Sequence, residues 1–213
     1  MRGSRYTEAL PLPRISGNTL REVITAENTD EQLMLRYCEG DLSAMEALVQ
    51  RFYPRLHAFF HRMLAPAEVV DDLIHDTFVR LMEQVSRYQP SGRFSTYLFT
   101  IAANLLKDER KRATRRDCSL DDFSPDTYYL NDGACAEDTI ADAVERAGMA
   151  RRVRFALAQL NHDLRVAVIL RYYHEFTYEE IARVVGCPPG TAKSRVHHAV
   201  RQLRTMLGVE ENA

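Results

Sequence analysis

The sequence predicts an all-α protein made of two small helical domains joined by an acidic, flexible linker. Three observations lead there. Apolar residues recur at three- and four-residue spacing from Thr29 to about Arg116, and again from Ile140 to Leu207, which is the period of an amphipathic helix. No stretch reads convincingly as a strand, and no internal repeat is present. The net charge of −2 hides a strong segregation of charge along the chain. Lys107 to Arg116 holds six basic and two acidic residues, Asp117 to Ala150 nine acidic and one basic, and Thr191 to Leu207 four basic residues, two histidines and no acid. Two basic blocks therefore flank an acidic one.

Composition excludes several classes. A chain of 213 residues holds one ordinary domain or two small ones, and 46% apolar with 27% charged residues is the balance of a globular protein. No apolar run approaches the roughly 18 residues that span a bilayer, so no membrane insertion is expected. Arg2, Arg5 and Arg14 lie near the start, but Pro11 and Pro13 interrupt the only apolar stretch there. That is a poor signal peptide, and the chain is expected in the cytoplasm. Cys38, Cys118, Cys135 and Cys187 form no C-x-x-C pair and read as free thiols.

Taken in order, residues 1–28 mix Pro, Gly, Ser and Thr and read as a mobile extension. The first domain spans 29–116. Leu33, Leu48, Phe52, Leu56, Phe59, Phe60 and Met63 belong to its apolar stripe, and Asp41 is placed to cap the helix after Gly40. A further helix is expected from about Glu68 to Tyr88 and another from about Ser95 to Arg116, with Gln89 to Arg93 as the loop between them. Residues 117–136 carry five acids, no bases and Ser124-Pro125, and read as the linker. The second domain spans 137–208, and 209–213 is a tail.

The most specific local signal is TYEEIARVVGCPPGTAKSRVHHAVRQLRTML, Thr177 to Leu207. Thr177 and Glu180 suit a capping box, Ile181, Val184 and Val185 give an apolar face, and Gly186 ends the first helix. Pro188, Pro189 and Gly190 form a turn, and a second helix is expected from Thr191. This is a helix-turn-helix with a basic second helix. At 100° per residue, Ala192, Val196, Ala199, Val200 and Leu203 point inward. Thr191, Ser194, His198, Arg201, Gln202 and Thr205 point outward, with Lys193, Arg195, His197 and Arg204 along the edges. Those donors suit base edges and phosphates. The segment resembles the fourth conserved region of the sigma-70 family of bacterial transcription initiation factors, whose pattern runs "tyrEEIA" then "G-x-x-x-GTVKSR". It departs chiefly at Ala192 and at His197-His198. The resemblance implies binding of the −35 promoter element by Thr191, Lys193, Ser194, Arg195, His197, His198, Arg201 and Gln202.

Two upstream segments resemble the same family. In AEVVDDLIHDTFVRLMEQV, Val70, Leu73, Ile74, Phe78, Leu81 and Val85 share one helix face, and Asp71, Asp72, His75, Asp76, Val79 and Glu83 share the other. DDLIHDTFVRL is similar to the family's "DLvQdtFlrl". The resemblance implies that Asp72, His75, Asp76 and Val79 meet the β′ clamp helices of core RNA polymerase. RFSTYLFTIAANLLKDERKR follows, with Tyr97, Leu98, Ile101, Ala102 and Leu105 on one face and Thr100, Asn104, Lys107, Arg110 and Lys111 on the other. It is similar to "F-x-tWL-x-x-IArN-x-x-x-D-x-x-R", with Tyr97 in place of Trp. A basic helix beside aromatics suits single-stranded DNA. The resemblance implies −10 element binding by Phe94, Tyr97, Thr100, Asn104, Lys107, Arg110 and Lys111, with a flipped base held near Tyr88 to Ser95. Phe94 and Tyr97 are equally suited to a core.

The three segments keep the family's order and spacing across about Thr29 to Leu207. The large additional regions of primary sigma factors are missing, which points to the two-domain extracytoplasmic-function group. The resemblance also implies contact with the polymerase β flap, promoter DNA both duplex and single-stranded, an inhibitory anti-sigma partner, and an acidic tether that threads a basic polymerase channel. Two rivals differ in class. A stand-alone helix-turn-helix regulator would bind duplex DNA tightly without polymerase. An HD-type metal phosphohydrolase would use His57, His61 and His75-Asp76 as ligands, but leaves the second domain unexplained. No catalytic constellation or phosphate-binding glycine loop is present, so neither enzymatic activity nor a cofactor or metal is expected.

Overall fold

The computed structural model describes residues 28–85, 88–90, 92–115 and 140–208. Among the described residues the chain forms eight helices and no strand. Of the extension (1–28) only Asn28 is among them; the acidic linker (117–136) and the tail (209–213) lie outside the described residues.

The first domain is a bundle of α1 (Asp30–Cys38), α2 (Leu42–Arg62), α3 (Ala67–Glu83) and α4 (Phe94–Arg115). Helix starts follow local chemistry. Thr29 and Gln32 close a capping box on α1, and the Asp41 carboxylate accepts from the Ser43 N–H at the start of α2. Asp41 also accepts from Arg36, which ties the two helices at their turn. α3 stops at Glu83, short of the Tyr88 expected from periodicity; Val85 already lies in a tighter turn. Phe52, Leu56, Phe59, Phe60, Leu81 and Phe99 are fully buried, and the rings interlock edge to face: Phe52–Phe94 and Phe59–Phe99 both lie 5.2 Å apart. The start of α4 is anchored from a distance, because the Phe94 N–H donates to the Glu31 carboxylate at 2.7 Å. Burial raises the Glu31 pKa, but the bonds from Phe94 and other donors outweigh it and leave the group below its ordinary value.

The second domain comprises α5 (Ile140–Gln159), α6 (His162–Tyr173), α7 (Tyr178–Val185) and α8 (Pro189–Leu207). Arg165 of α6 joins it together. The side chain is buried, yet it donates to the carbonyls of Leu157, Ala158 and Leu160 at 2.8–2.9 Å, the open C-terminal end of α5. A fourth bond reaches the Met63 carbonyl at the end of α2, at 3.4 Å. Burial, and then nearby Arg110, lower the Arg165 pKa to about 10, which still leaves it charged at neutral pH. Arg165→Ala is therefore expected to strand buried carbonyls and to cost about 2–4 kcal/mol. Urea unfolding of wild type, Arg165→Ala and Arg165→Lys checks this; Lys should recover only part, because one ammonium cannot reproduce the guanidinium fork.

The two domains pack against one another. Phe99 of α4 lies 4.5 Å from His174 and 5.4 Å from Phe176, ring to ring, and Phe59 of α2 lies 5.9 Å from His174. Arg62 sits 4.0 Å above the Tyr173 ring, and Arg93 lies 3.7 Å from Glu180. None of these pairs is signalled by local sequence.

Candidate nucleic-acid interface

The helix-turn-helix begins with the expected capping box: Thr177 Oγ1 accepts from the Glu180 N–H, and the Glu180 carboxylate accepts from the Thr177 N–H. Gly186 takes the left-handed conformation (φ 66°), and the Cys187 N–H returns to the Ala182 carbonyl. α8 starts at Pro189 rather than Thr191, because a proline in the first turn has no amide to leave unpaired. Ala192, Val196 and Ala199 are buried, with Val200 and Leu203 half-buried behind them. This leaves Thr191, Lys193, Ser194, His197, His198, Arg201 and Gln202 on an exposed face without a carboxylate. Arg195 is half-buried and paired with Asp163 at 2.6 Å, so its guanidinium is anchored to α6. Ser194 Oγ donates to the Thr191 carbonyl, and Arg201 lies 3.4 Å from His198 Nδ1.

On α4, Asn104, Lys107, Arg110 and Lys111 are exposed along one side. Lys111 lies 3.8 Å from Asp108, a loose pair that a phosphate can replace. Thr100 is half-buried, and its hydroxyl donates to the Thr96 carbonyl at 2.7 Å. Tyr97 is also half-buried; its hydroxyl donates to Gln84 at 3.1 Å and burial raises its pKa. Phe94 requires a correction. It is fully buried between Phe52 and Tyr88, so it supports the loop from beneath and offers no surface to a base. Tyr88 takes the position nearer the loop, packed on Tyr97 at 5.4 Å. Burial, with a smaller contribution from Glu31, pushes its pKa up to about 12.

On α3, Asp72, His75 and Asp76 are exposed on the face opposite Val70, Leu73, Ile74, Phe78 and Leu81, and Val79 is half-buried at its edge. Asp71 differs from these two aspartates because it accepts from the Tyr53 hydroxyl at 2.7 Å. His57 and His61 bring their Nε2 atoms to 3.2 Å on α2, but no group of three or more His, Cys, Asp or Glu among the described residues is placed to hold a metal ion. No helix among them is long and apolar enough to cross a membrane. Sequence reading missed Arg183 and Glu180 as neighbours of the loop before α4: Glu180 faces Arg93, and a Cβ on Gly92 would meet the Arg183 guanidinium.

An acidic helix face, a basic helix beside aromatics and a basic helix-turn-helix define a transcription-initiation protein of two modules. Comparison with known proteins gives the family. Residues 48–116 match sigma-70 region 2, and residues 150–203 match sigma-70 region 4. The chain is 32% identical over 175 residues to the RNA polymerase sigma factor CarQ of Myxococcus xanthus, covering 82% of this chain and 95% of that one. It is 30% identical over 173 residues to the ECF RNA polymerase sigma-E factor of Escherichia coli (strain K12), covering 80% and 90%. Among solved structures it resembles CnrH in complex with the cytosolic domain of CnrY (TM-score 0.63, 23% identity, 86% of this chain and 100% of that one). It also resembles the sigma factor RpoE in complex with the anti-sigma factor NepR from Bartonella quintana (TM-score 0.62, 26% identity, 78% and 98%). The chain belongs to the sigma-70 family of RNA polymerase sigma factors, in its extracytoplasmic-function group.

Proposed function

We propose that the chain binds core RNA polymerase and directs initiation at promoters that it selects through two DNA surfaces. On this reading Asp72, His75, Asp76 and Val79 of α3 meet the β′ clamp helices, while the second domain reaches the β flap. Tyr97, Asn104, Lys107, Arg110 and Lys111 hold the melted −10 strand, and the exposed face of α8 reads the duplex −35 element. The observation that carries the reading is the pairing of two different surfaces in one chain: a carboxylate-lined helix suited to a basic protein, and two carboxylate-poor helices suited to DNA. A DNA-binding regulator needs only the second kind. The chain supplies specificity and melting, and the bond-forming chemistry belongs to the polymerase.

Acting at promoters places the chain in the cytoplasm. Its likeness to RpoE, solved with the anti-sigma factor NepR, supports an inhibitory protein partner of the same kind. Co-purification with core polymerase, followed by run-off transcription from genomic fragments, tests the reading. Specific transcripts that depend on both proteins are expected; tight duplex binding without polymerase and no transcript would overturn it.

A further inference from the structure

The loop before α4 ends on a residue ill suited to start a helix. Arg93 stands at the capping position, where its carbonyl accepts from the Thr96 N–H at 3.0 Å. A guanidinium offers no acceptor to the free amides of a first turn, and its charge opposes the positive end of the helix. The cap comes instead from α1. Glu31 Oε1 accepts from the Phe94 N–H at 2.7 Å across 63 positions of sequence, and the carboxylate also attracts Arg93. The rest of the first turn of α1 is committed elsewhere. Thr29 and Gln32 close their own capping box, and Asp30 pairs with Arg51 of α2, which also donates to the Asn28 carbonyl. Those bonds fix the turn, and Glu31 is the side chain that reaches from it to the loop.

We infer that Glu31 is a positioning residue for −10 recognition: as a cap supplied from α1, it sets the loop that receives the unpaired base. The inference rests on the proposed function, in which that base is held near Tyr88 to Ser95. Transmission runs through two rings. Phe94 is fully buried, with the Phe52 ring at 5.2 Å and the Tyr88 ring at 6.4 Å. Tyr88 also packs on Tyr97 at 5.4 Å, and its buried hydroxyl has no hydrogen-bond partner among the described residues. Ring packing therefore holds the Tyr88 side chain, and Phe94, on which it packs, is held at its amide by Glu31. An amide released from Glu31 lets the first turn of α4 fray, and the rings lose their common support.

Positioning and mere destabilisation differ in what they change. Glu31 belongs neither to the acidic face of α3 nor to the recognition face of α8, so its loss should leave polymerase binding and −35 preference alone. Glu31→Gln keeps an oxygen acceptor at the same reach for the Phe94 amide, although without the charge that offsets Arg93, and should restore most of the effect. Asp41→Ala supplies the contrast. It removes the cap of α2 and both bonds from Arg36 in the same domain, but no bond to the loop.

Amide hydrogen exchange on the full chain reads the cap directly. In Glu31→Ala the Phe94 amide should exchange about tenfold faster or more, as expected for losing one hydrogen bond to a charged group, with Glu31→Gln between it and the parent. Holoenzyme binding to promoter fragments with a pre-melted −10 bubble, carrying each of the four bases at each −10 position in turn, reads the positioning. A preference of about tenfold at the captured base is expected in the parent, falling to about twofold or less in Glu31→Ala and largely recovered in Glu31→Gln. Asp41→Ala should keep the preference. A Phe94 amide protected equally in Glu31→Ala would overturn the cap. Unchanged base preference in Glu31→Ala, or an equal loss in Asp41→Ala, would overturn the positioning role. A parent holoenzyme without preference at any −10 base would remove the proposed −10 reading and the positioning role with it, whereas exchange at Phe94 would still report the cap.

Discussion

Asp72→Arg combined with Asp76→Arg is expected to abolish association with core polymerase while leaving the fold intact. Both side chains are exposed, and α3 is held by Val70, Leu73, Ile74, Phe78 and Leu81 on its other face. His75 lies 3.8 Å from Asp76 with both side chains more than half exposed, so no internal network depends on the pair. Turning two carboxylates into two guanidiniums replaces attraction to a basic partner with repulsion, and affinity should fall by about a hundredfold or more. Asp71→Asn supplies the contrast. Its carboxylate serves the Tyr53 hydroxyl inside the domain, so this change should affect stability slightly and polymerase binding little. Co-purification at two salt concentrations, with circular dichroism on each variant, checks both. Unchanged binding by the double variant would remove α3 from the polymerase interface.

What could be read in the sequence was local. Capping at Asp41 and Thr177, the turn at Gly186, and the inward faces of α3 and α8 all depend on residues within one or two helical turns, where spacing alone decides geometry. Boundaries were less legible. Pro188 and Pro189 looked like a turn, yet Pro189 opens α8, because proline's fixed φ suits a first helical turn as well as a loop. Phe94 and Tyr97 lie three residues apart near the start of one helix and could not be separated by pattern. Only the packing of Phe52 and Tyr88 around Phe94 sends one to the core and leaves the other at the edge.

Contacts between the domains were not legible at all. Phe99 and His174 are 75 positions apart, and Phe176 lies between helices where no periodicity marks it as buried. Nothing in the sequence around Arg165 sets it apart from the other arginines of the chain. Its role depends on three carbonyls at the end of the preceding helix, a group that exists only once α5 and α6 have folded against each other. The same holds for Arg195: helix geometry placed it at the edge of the recognition face, and Asp163 of α6 then engages it.

The two DNA surfaces should separate cleanly by mutation. Arg201 is exposed on α8, and Lys107 and Lys111 are exposed on α4. If α8 reads duplex DNA, Arg201→Ala should cost about 1–3 kcal/mol of promoter binding and relax preference at one or two −35 bases. Arg195→Ala should behave differently, because its pairing with Asp163 makes it part of the support for α8; weaker binding to all sequences is expected, with base preference retained. If α4 grips the melted strand through phosphates, Lys107→Ala with Lys111→Ala should slow open-complex formation and flatten its dependence on salt, since fewer counterions are released. A promoter with a pre-melted −10 bubble divides the possibilities. A defect of phosphate grip persists on it, whereas a defect of melting is rescued. Binding of each variant holoenzyme to a panel of −35 substitutions, at two salt concentrations and on both promoter forms, gives all of these readings together. Lysine variants that alter −35 preference, or an Arg201→Ala chain that keeps it unchanged, would mean that the two promoter elements have been assigned to the wrong domains.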